Sequence, residues 1–161
     1  MSRAGQQIFH ELGFDADTVQ LPDSAAVYAI ARTYSLIMRK LGETYRRVGL
    51  SAAAFNLLML LARGKDRHAL TQRKIGQHLV VSASDLSGLV DRMEVRGLVR
   101  RAAGADRRSK VVQITPKGAT LVDKVWPEHA EAVQRMTSAI GSQQVTALLD
   151  ALGRMRTAVG V

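Results

Sequence analysis

Along most of this chain apolar residues recur at three- and four-residue steps, the spacing that puts them on one face of an α-helix. Near the N-terminus Ile8, Phe9, Leu12 and Phe14 follow it and fit a short extra helix within residues 1 to 20, before a Leu21-Pro22 break. Pro22, Asp23 and Ser24 supply helix-start chemistry. From there Val27, Ile30, Ala31, Tyr34, Ile37, Met38 and Leu41 mark an amphipathic helix running to about Arg47. At roughly 24 residues, or about 36 Å, it exceeds the average globular helix and suits an interface between subunits. Gly49 closes it, and Ser51 can cap a second helix through Ala62. There Phe55, Leu57, Leu58, Leu60 and Leu61 are apolar nearly all round, which predicts a central position in the core.

After a charged connector, Gly64 to His68, Thr71 is placed to cap a short helix with Ile75 and Leu79 facing inward. Past Val80-Val81-Ser82 the next helix carries Leu86, Leu89, Val90 and Met93 on its buried stripe, and Gly97 stands where a left-handed terminator is wanted. The period then changes. Leu98 to Arg101 and Lys110 to Ile114 are β-rich runs around a linker containing Gly104, which predicts a β-hairpin. Thr115 and Pro116 restart a helix as N-cap and first helical residue. Pro127 is expected to kink it near Trp126, although Val133, Met136 and Ile140 continue the pattern. Gly141-Ser142 resets the chain for a last helix with Val145, Leu148, Leu149, Leu152 and Met155 on one face. Two short helices joined by a tight turn and followed directly by a hairpin are the order of a winged helix-turn-helix. The fold class is therefore mainly α, with a small β-hairpin wing and long N- and C-terminal helices suited to dimerisation.

Charge adds a function class to this outline. The 161 residues hold 23 Lys and Arg against 14 Asp and Glu, a formal +9. Residues 63 to 118 alone carry 13 of the basic groups against five acids, so nearly all of the excess lies in about a third of the chain. A charge serving solubility alone would spread more evenly, and a polyanion becomes the expected partner; an ordinary solvated face is the competing reading. With no cysteine, thiolate metal sites, disulfides and thiol redox switches are excluded. His10, His68, His78 and His129 are too scattered for a metal cluster, and neither a cofactor nor a metal is expected. No stretch approaches the about 18 unbroken apolar residues of a membrane span, and the N-terminus has no long apolar core, so a cytoplasmic protein without a membrane partner is expected.

In a helix-turn-helix the second helix enters the major groove with its N-terminal residues near base edges. With the apolar stripe buried, the outward positions of residues 82 to 96 are Ala83, Ser84, Asp85, Ser87, Gly88, Asp91 and Arg92, with Ser82 at the helix start. These are the candidate DNA-facing residues, joined by Arg73 on the preceding helix and by Arg107, Arg108 and Lys110 of the hairpin. Asp85, three residues after Ser82, also fits a capping box, and equally a carboxylate accepting a hydrogen bond from a cytosine amine.

Leu89 to Arg100 reads Leu-Val-Asp-Arg-Met-Glu-Val-Arg-Gly-Leu-Val-Arg, followed by Asp106-Arg107-Arg108 and then by Ile114-Thr115-Pro116-Lys117-Gly118. Taken in this order and spacing, the three segments resemble the MarR family of bacterial regulators, whose typical run is VDRLEEKGLVxR, then DRR, then LTxKG. The resemblance is specific over residues 70 to 118 and extends as element order over about 24 to 157. It implies a dimeric transcription regulator, with terminal helices pairing two subunits and each wing lying along the minor groove of double-stranded DNA. It makes Arg108 the wing-tip arginine, which a narrow minor groove attracts, and Asp106 the acid that orients the wing; a simple turn-stabilising pair is the alternative. Two positions depart from the pattern: Gly88 stands where the family often has arginine, and Asp85 where it often has threonine.

The family also implies a small, often aromatic or phenolic ligand, for which Tyr28, Tyr34, Phe55, Trp126 and His129 are the candidate contacts; aromatic residues at helical spacing also fit plain core packing. The expected organisation is a single domain over 1–161, with helical dimerisation regions at 22–48 and 116–161 and the DNA-binding lobe at 51–115. The expected function is a sequence-specific regulator, a repressor, binding a pseudo-palindromic operator as a homodimer. The alternatives are a non-specific architectural DNA binder, favoured by Gly88, and a small enzyme, for which no phosphate loop, HExxH or nucleophile elbow is present.

Overall fold

The computed structural model describes residues 2–15, 22–65, 69–79, 83–104 and 110–160, excepting the side chains of residues 22 and 83. The chain forms two compact units, Met1–Ala52 and Ala53–Val161. In the first, helix α1 (Arg3–Glu11) packs on helix α2 (Ala25–Arg46), which a 3-10 turn at Pro22–Ser24 precedes. Ser2 caps α1 by accepting from the Gly5 amide at 3.2 Å. The short extra helix of the N-terminal segment is thus real, and it is anchored by Phe9, which is fully buried and meets Phe14 and Tyr28 edge-on at centroid distances of 6.4 and 6.0 Å. Burial also pushes the Tyr45 phenol up to about 12. Gly49 closes α2 with φ +69°.

The second unit holds most of helix α3 (Ala52–Arg63), then strand β1 (Ala69–Thr71), helices α4 (Gln72–His78) and α5 (Ala83–Val95), strands β2 (Val99–Ala103) and β3 (Lys110–Ile114), and helices α6 (Pro116–Thr137) and α7 (Ser142–Ala158). Phe55, Leu57, Leu58 and Leu61 of α3 have no solvent exposure, as its apolar circumference requires. The expected caps are present: Thr71 accepts from the Lys74 amide and Thr115 from the Gly118 amide, at 3.2 and 3.1 Å. The hairpin is part of a three-stranded antiparallel sheet of order β1-β3-β2, in which Leu70 pairs with Val112 and Val112 with Arg101. Strand β1 falls in the stretch next to the charged connector, where only the Thr71 cap was anticipated. Pairing along the second edge of β3 makes those three residues a strand, and no local period announces it.

Helix α6 continues through Pro127 as one element. Pro127 offers no amide to the carbonyl four residues back, that of Asp123. Both residues are exposed, so solvent can take that carbonyl and the helix survives. No described residue of α7 is buried, and Leu148 and Leu149 of its apolar face stay exposed within one chain. Among the described residues no helix is long and apolar enough to cross a membrane.

Candidate nucleic-acid interface

Helix α5 divides into two faces. Leu86, Leu89, Val90 and Met93 are at most 4% exposed, the predicted stripe in full. The helix packs through this side on α4 and β2. Ser84, Asp85, Ser87 and Arg92 are exposed on the other side, Gly88 is half-covered, and Ala83 opens the helix. Arg73 on α4 and Lys110 at the start of β3 are exposed as well. Ser82, Asp106, Arg107 and Arg108 lie outside the described residues.

The helix is tied to the hairpin by a contact that the sequence reading did not anticipate. Arg101 of β2 donates through Nη1 to Glu94 Oε2 and through Nη2 to Asp91 Oδ1 at 2.5 Å, while its backbone amide donates to Glu94 Oε1 at 2.7 Å. Asp91 is therefore engaged by the hairpin, which changes its standing among the outward positions of the helix. The backbone amide and guanidinium of Arg101 together hold the Glu94 carboxyl below its usual range, so the clamp is intact at neutral pH. A signal for it did exist. Side chains alternate along a strand, so the residue two positions beyond buried Val99 points to the helix side of the sheet, and Asp91 and Glu94 are three apart on one helix face.

The far end of α5 is closed by the third motif. Gly97 has φ +69°, and the Leu98 amide donates to the Met93 carbonyl at 2.9 Å while that of Gly97 donates to Glu94 at 2.8 Å, a Schellman termination. Lys117 Nζ donates to the Arg96 carbonyl at 2.8 Å, placing a cation at the negative end of the helix dipole. Thr115 Oγ1 lies 2.7 and 3.1 Å from the carbonyl oxygens of Gly97 and Leu98, sharing its proton between them. Gly118 packs so closely here that a Cβ built on it would lie 2.2 Å from the Leu98 oxygen. The Thr-Pro-Lys-Gly segment thus joins the start of α6 to the end of α5.

Of the aromatic candidates, Phe55, Trp126 and His129 come together: the His129 ring lies 5.1 Å from that of Phe55 and 5.4 Å from that of Trp126. Arg63, which was not among the candidates, stacks 4.5 Å over the Trp126 ring and donates to Asp123 Oδ1 at 2.9 Å. Phe55 is fully buried, whereas Trp126 and His129 are half-covered. Tyr28 and Tyr34 belong to the first unit, where both are exposed and Tyr28 is part of the Phe9–Phe14 cluster.

Burial lowers the pKa of His129 from the ordinary imidazole value. As pH falls through about 6.5 the unfolded chain takes up a proton that the folded imidazole resists, so stability falls with pH across that window. The thermal midpoint should drop between about pH 7.5 and 5.5, and drop less in His129→Phe; equal drops would mean that His129 is not the group responsible.

Among the described residues no group of three His, Cys, Asp or Glu side chains is placed to hold a metal ion. A family model described as "MarR family" matches residues 48–109. The HTH-type transcriptional regulator PecS of Dickeya dadantii is 32% identical over 127 residues, covering 78% of this chain and 76% of PecS. A MarR family transcriptional regulator from Silicibacter pomeroyi, known as a crystal structure, matches with a TM-score of 0.70 and 31% identity over 84% of this chain and 90% of its own. BpsR of Bordetella bronchiseptica shares the fold at a TM-score of 0.70 and 22% identity, over 80% and 91% of the two chains. By these likenesses, over a helix-turn-helix braced by a hairpin, the chain belongs to the MarR family of DNA-binding transcription regulators.

Proposed function

We propose that this chain is a sequence-specific repressor that binds a pseudo-palindromic operator as a cytoplasmic homodimer and responds to a small aromatic or phenolic ligand. The observation that carries the reading is the outer face of α5, where Ser84, Asp85, Ser87 and Arg92 stand exposed while the opposite stripe is sealed. Such a face suits insertion into a major groove. In this reading Arg73 contacts backbone phosphate, Lys110 and Arg107 follow the wing, Arg108 enters the minor groove and Asp106 orients it.

Dimerisation is supported by apolar residues left exposed in the regions 22–48 and 116–161: Val27 and Tyr34 on α2, and Leu148 and Leu149 on α7. For the ligand, half-covered Trp126 and His129 beside Arg63 offer two rings and a cation, a fit for an aromatic acid. The BpsR structure concerns regulation of that protein's DNA binding by 6-hydroxynicotinic acid, which is such an acid.

Selecting bound DNA from random duplexes, with and without a panel of aromatic acids, tests operator and ligand together. Footprints should show two protected half-sites about one helical turn apart. Arg108→Ala should weaken operator binding about tenfold while leaving the dimer intact. Equal binding of every duplex, with a steep salt dependence, would favour the architectural alternative instead. A monodisperse monomer at micromolar concentration would overturn the dimer.

A further inference from the structure

Gly88 lies in the middle of α5 with ordinary right-handed helical backbone, so no conformational demand explains a glycine there. The space over it is taken by a side chain instead. A Cβ built at Gly88 would lie 3.3 Å from Arg92 Nη1, so the Arg92 guanidinium is folded back over the glycine. Long helical side chains lean toward the N-terminus, and residues four apart share a face, so a bare backbone at 88 is where an arginine at 92 comes to rest. Among the described residues its charge is uncommitted as well. The neighbouring acids Asp91 and Glu94 are occupied by Arg101, and Arg92 makes no ion pair with any described residue.

We infer that Arg92, seated over Gly88, reads a guanine of each half-site, so that a guanidinium delivered from one turn further along α5 acts at the level of position 88. This deepens the proposed function and rests on its sequence-specific reading. Chemically, a guanidinium is the fork that matches guanine O6 and N7 in the major groove, and it is exposed here with no ion-pair partner among the described residues. The seat also restricts the side chain before binding, which lowers the ordering cost of the contact.

Selection from random duplexes with wild type, Arg92→Ala and Gly88→Leu is the test. Wild type should enrich one guanine at a fixed place in each half-site. Arg92→Ala should lose that preference and bind the selected operator about five- to 150-fold more weakly, while other positions of the operator keep theirs. Gly88→Leu retains Arg92 and puts a strong helix former at 88, so its thermal midpoint should not fall, yet by filling the seat it should lose the same guanine. A uniform weakening of Arg92→Ala with an unchanged base profile would make Arg92 a phosphate contact and overturn the inference alone. An unchanged profile in Gly88→Leu would overturn the seating. Wild type enriching no sequence would overturn the operator-binding reading, and this inference with it.

Discussion

Gly118→Ala is expected to lower the thermal midpoint by about 6–12 °C, corresponding to about 3 kcal/mol for a chain of this size. The added methyl would meet the Leu98 carbonyl oxygen at 2.2 Å and Ile114 Cγ1 at 2.9 Å. The first of these is backbone, already accepting from the Thr115 amide at 3.1 Å and lying 3.1 Å from Thr115 Oγ1, so it cannot swing aside as a flexible side chain would. Relief would require α6 to move away from the end of α5, which would break the Thr115 bonds to the Gly97 and Leu98 carbonyls and the Lys117 contact together. Gly42→Ala is the matched control. It also sits in a helix, but nothing lies within 4 Å of its Cβ position, so it should gain up to about 1 kcal/mol from helix propensity. Thermal melts of the two variants decide the matter; a Gly118→Ala protein as stable as wild type would show that the approach of α6 to Leu98 is not a constraint.

Arg101→Ala should leave the fold standing and weaken operator binding by about ten- to 100-fold. Asp91 and Glu94 are partly exposed, so their unpaired carboxylates can be hydrated and stability should change little. Near DNA the result is different. Two carboxylates on the helix proposed to meet the duplex would lose their neutralising partner, and of the three contacts that tie the hairpin to α5 only the backbone one, from the amide of residue 101 to Glu94, would remain. Arg100→Ala makes the same change in charge on the other face of β2, where Arg100 pairs in register with Gln113 and stays exposed. Anisotropy titrations at several salt concentrations should therefore show the larger loss for Arg101→Ala, with partial recovery when Asp91→Asn and Glu94→Gln are added. Equal losses for Arg100→Ala and Arg101→Ala would reduce the clamp to net charge.

These two residues differ in how visible they are beforehand. Arg101 could be found by counting two positions from a residue that must be buried and asking which acids share a helix face. Gly118 could be noticed as part of a motif, but its reason, a carbonyl oxygen from a segment twenty residues earlier, has no local signature. Strand β1 is similar: Ala69-Leu70-Thr71 is too short to show a period, and it becomes a strand because β3 has a second edge to pair with.

Local chemistry alone determined a good deal of this protein. The stripe of Leu86, Leu89, Val90 and Met93, the caps at Thr71 and Thr115, the termination at Gly97 and the change of period at Leu98 all depend on neighbours within a few residues, and backbone geometry converts that spacing directly into helix, strand and turn. From these came the helix-turn-helix, its hairpin and the face turned outward. Only the tertiary structure decided which of those outward groups are already spoken for. Asp91 is bound to the hairpin, Lys117 caps a helix that it does not belong to, and Arg92 has come to rest over Gly88. Ion pairs, close approaches and edge pairing join segments whose separation along the chain carries no information about their distance in space. They are settled only when the chain has closed on itself.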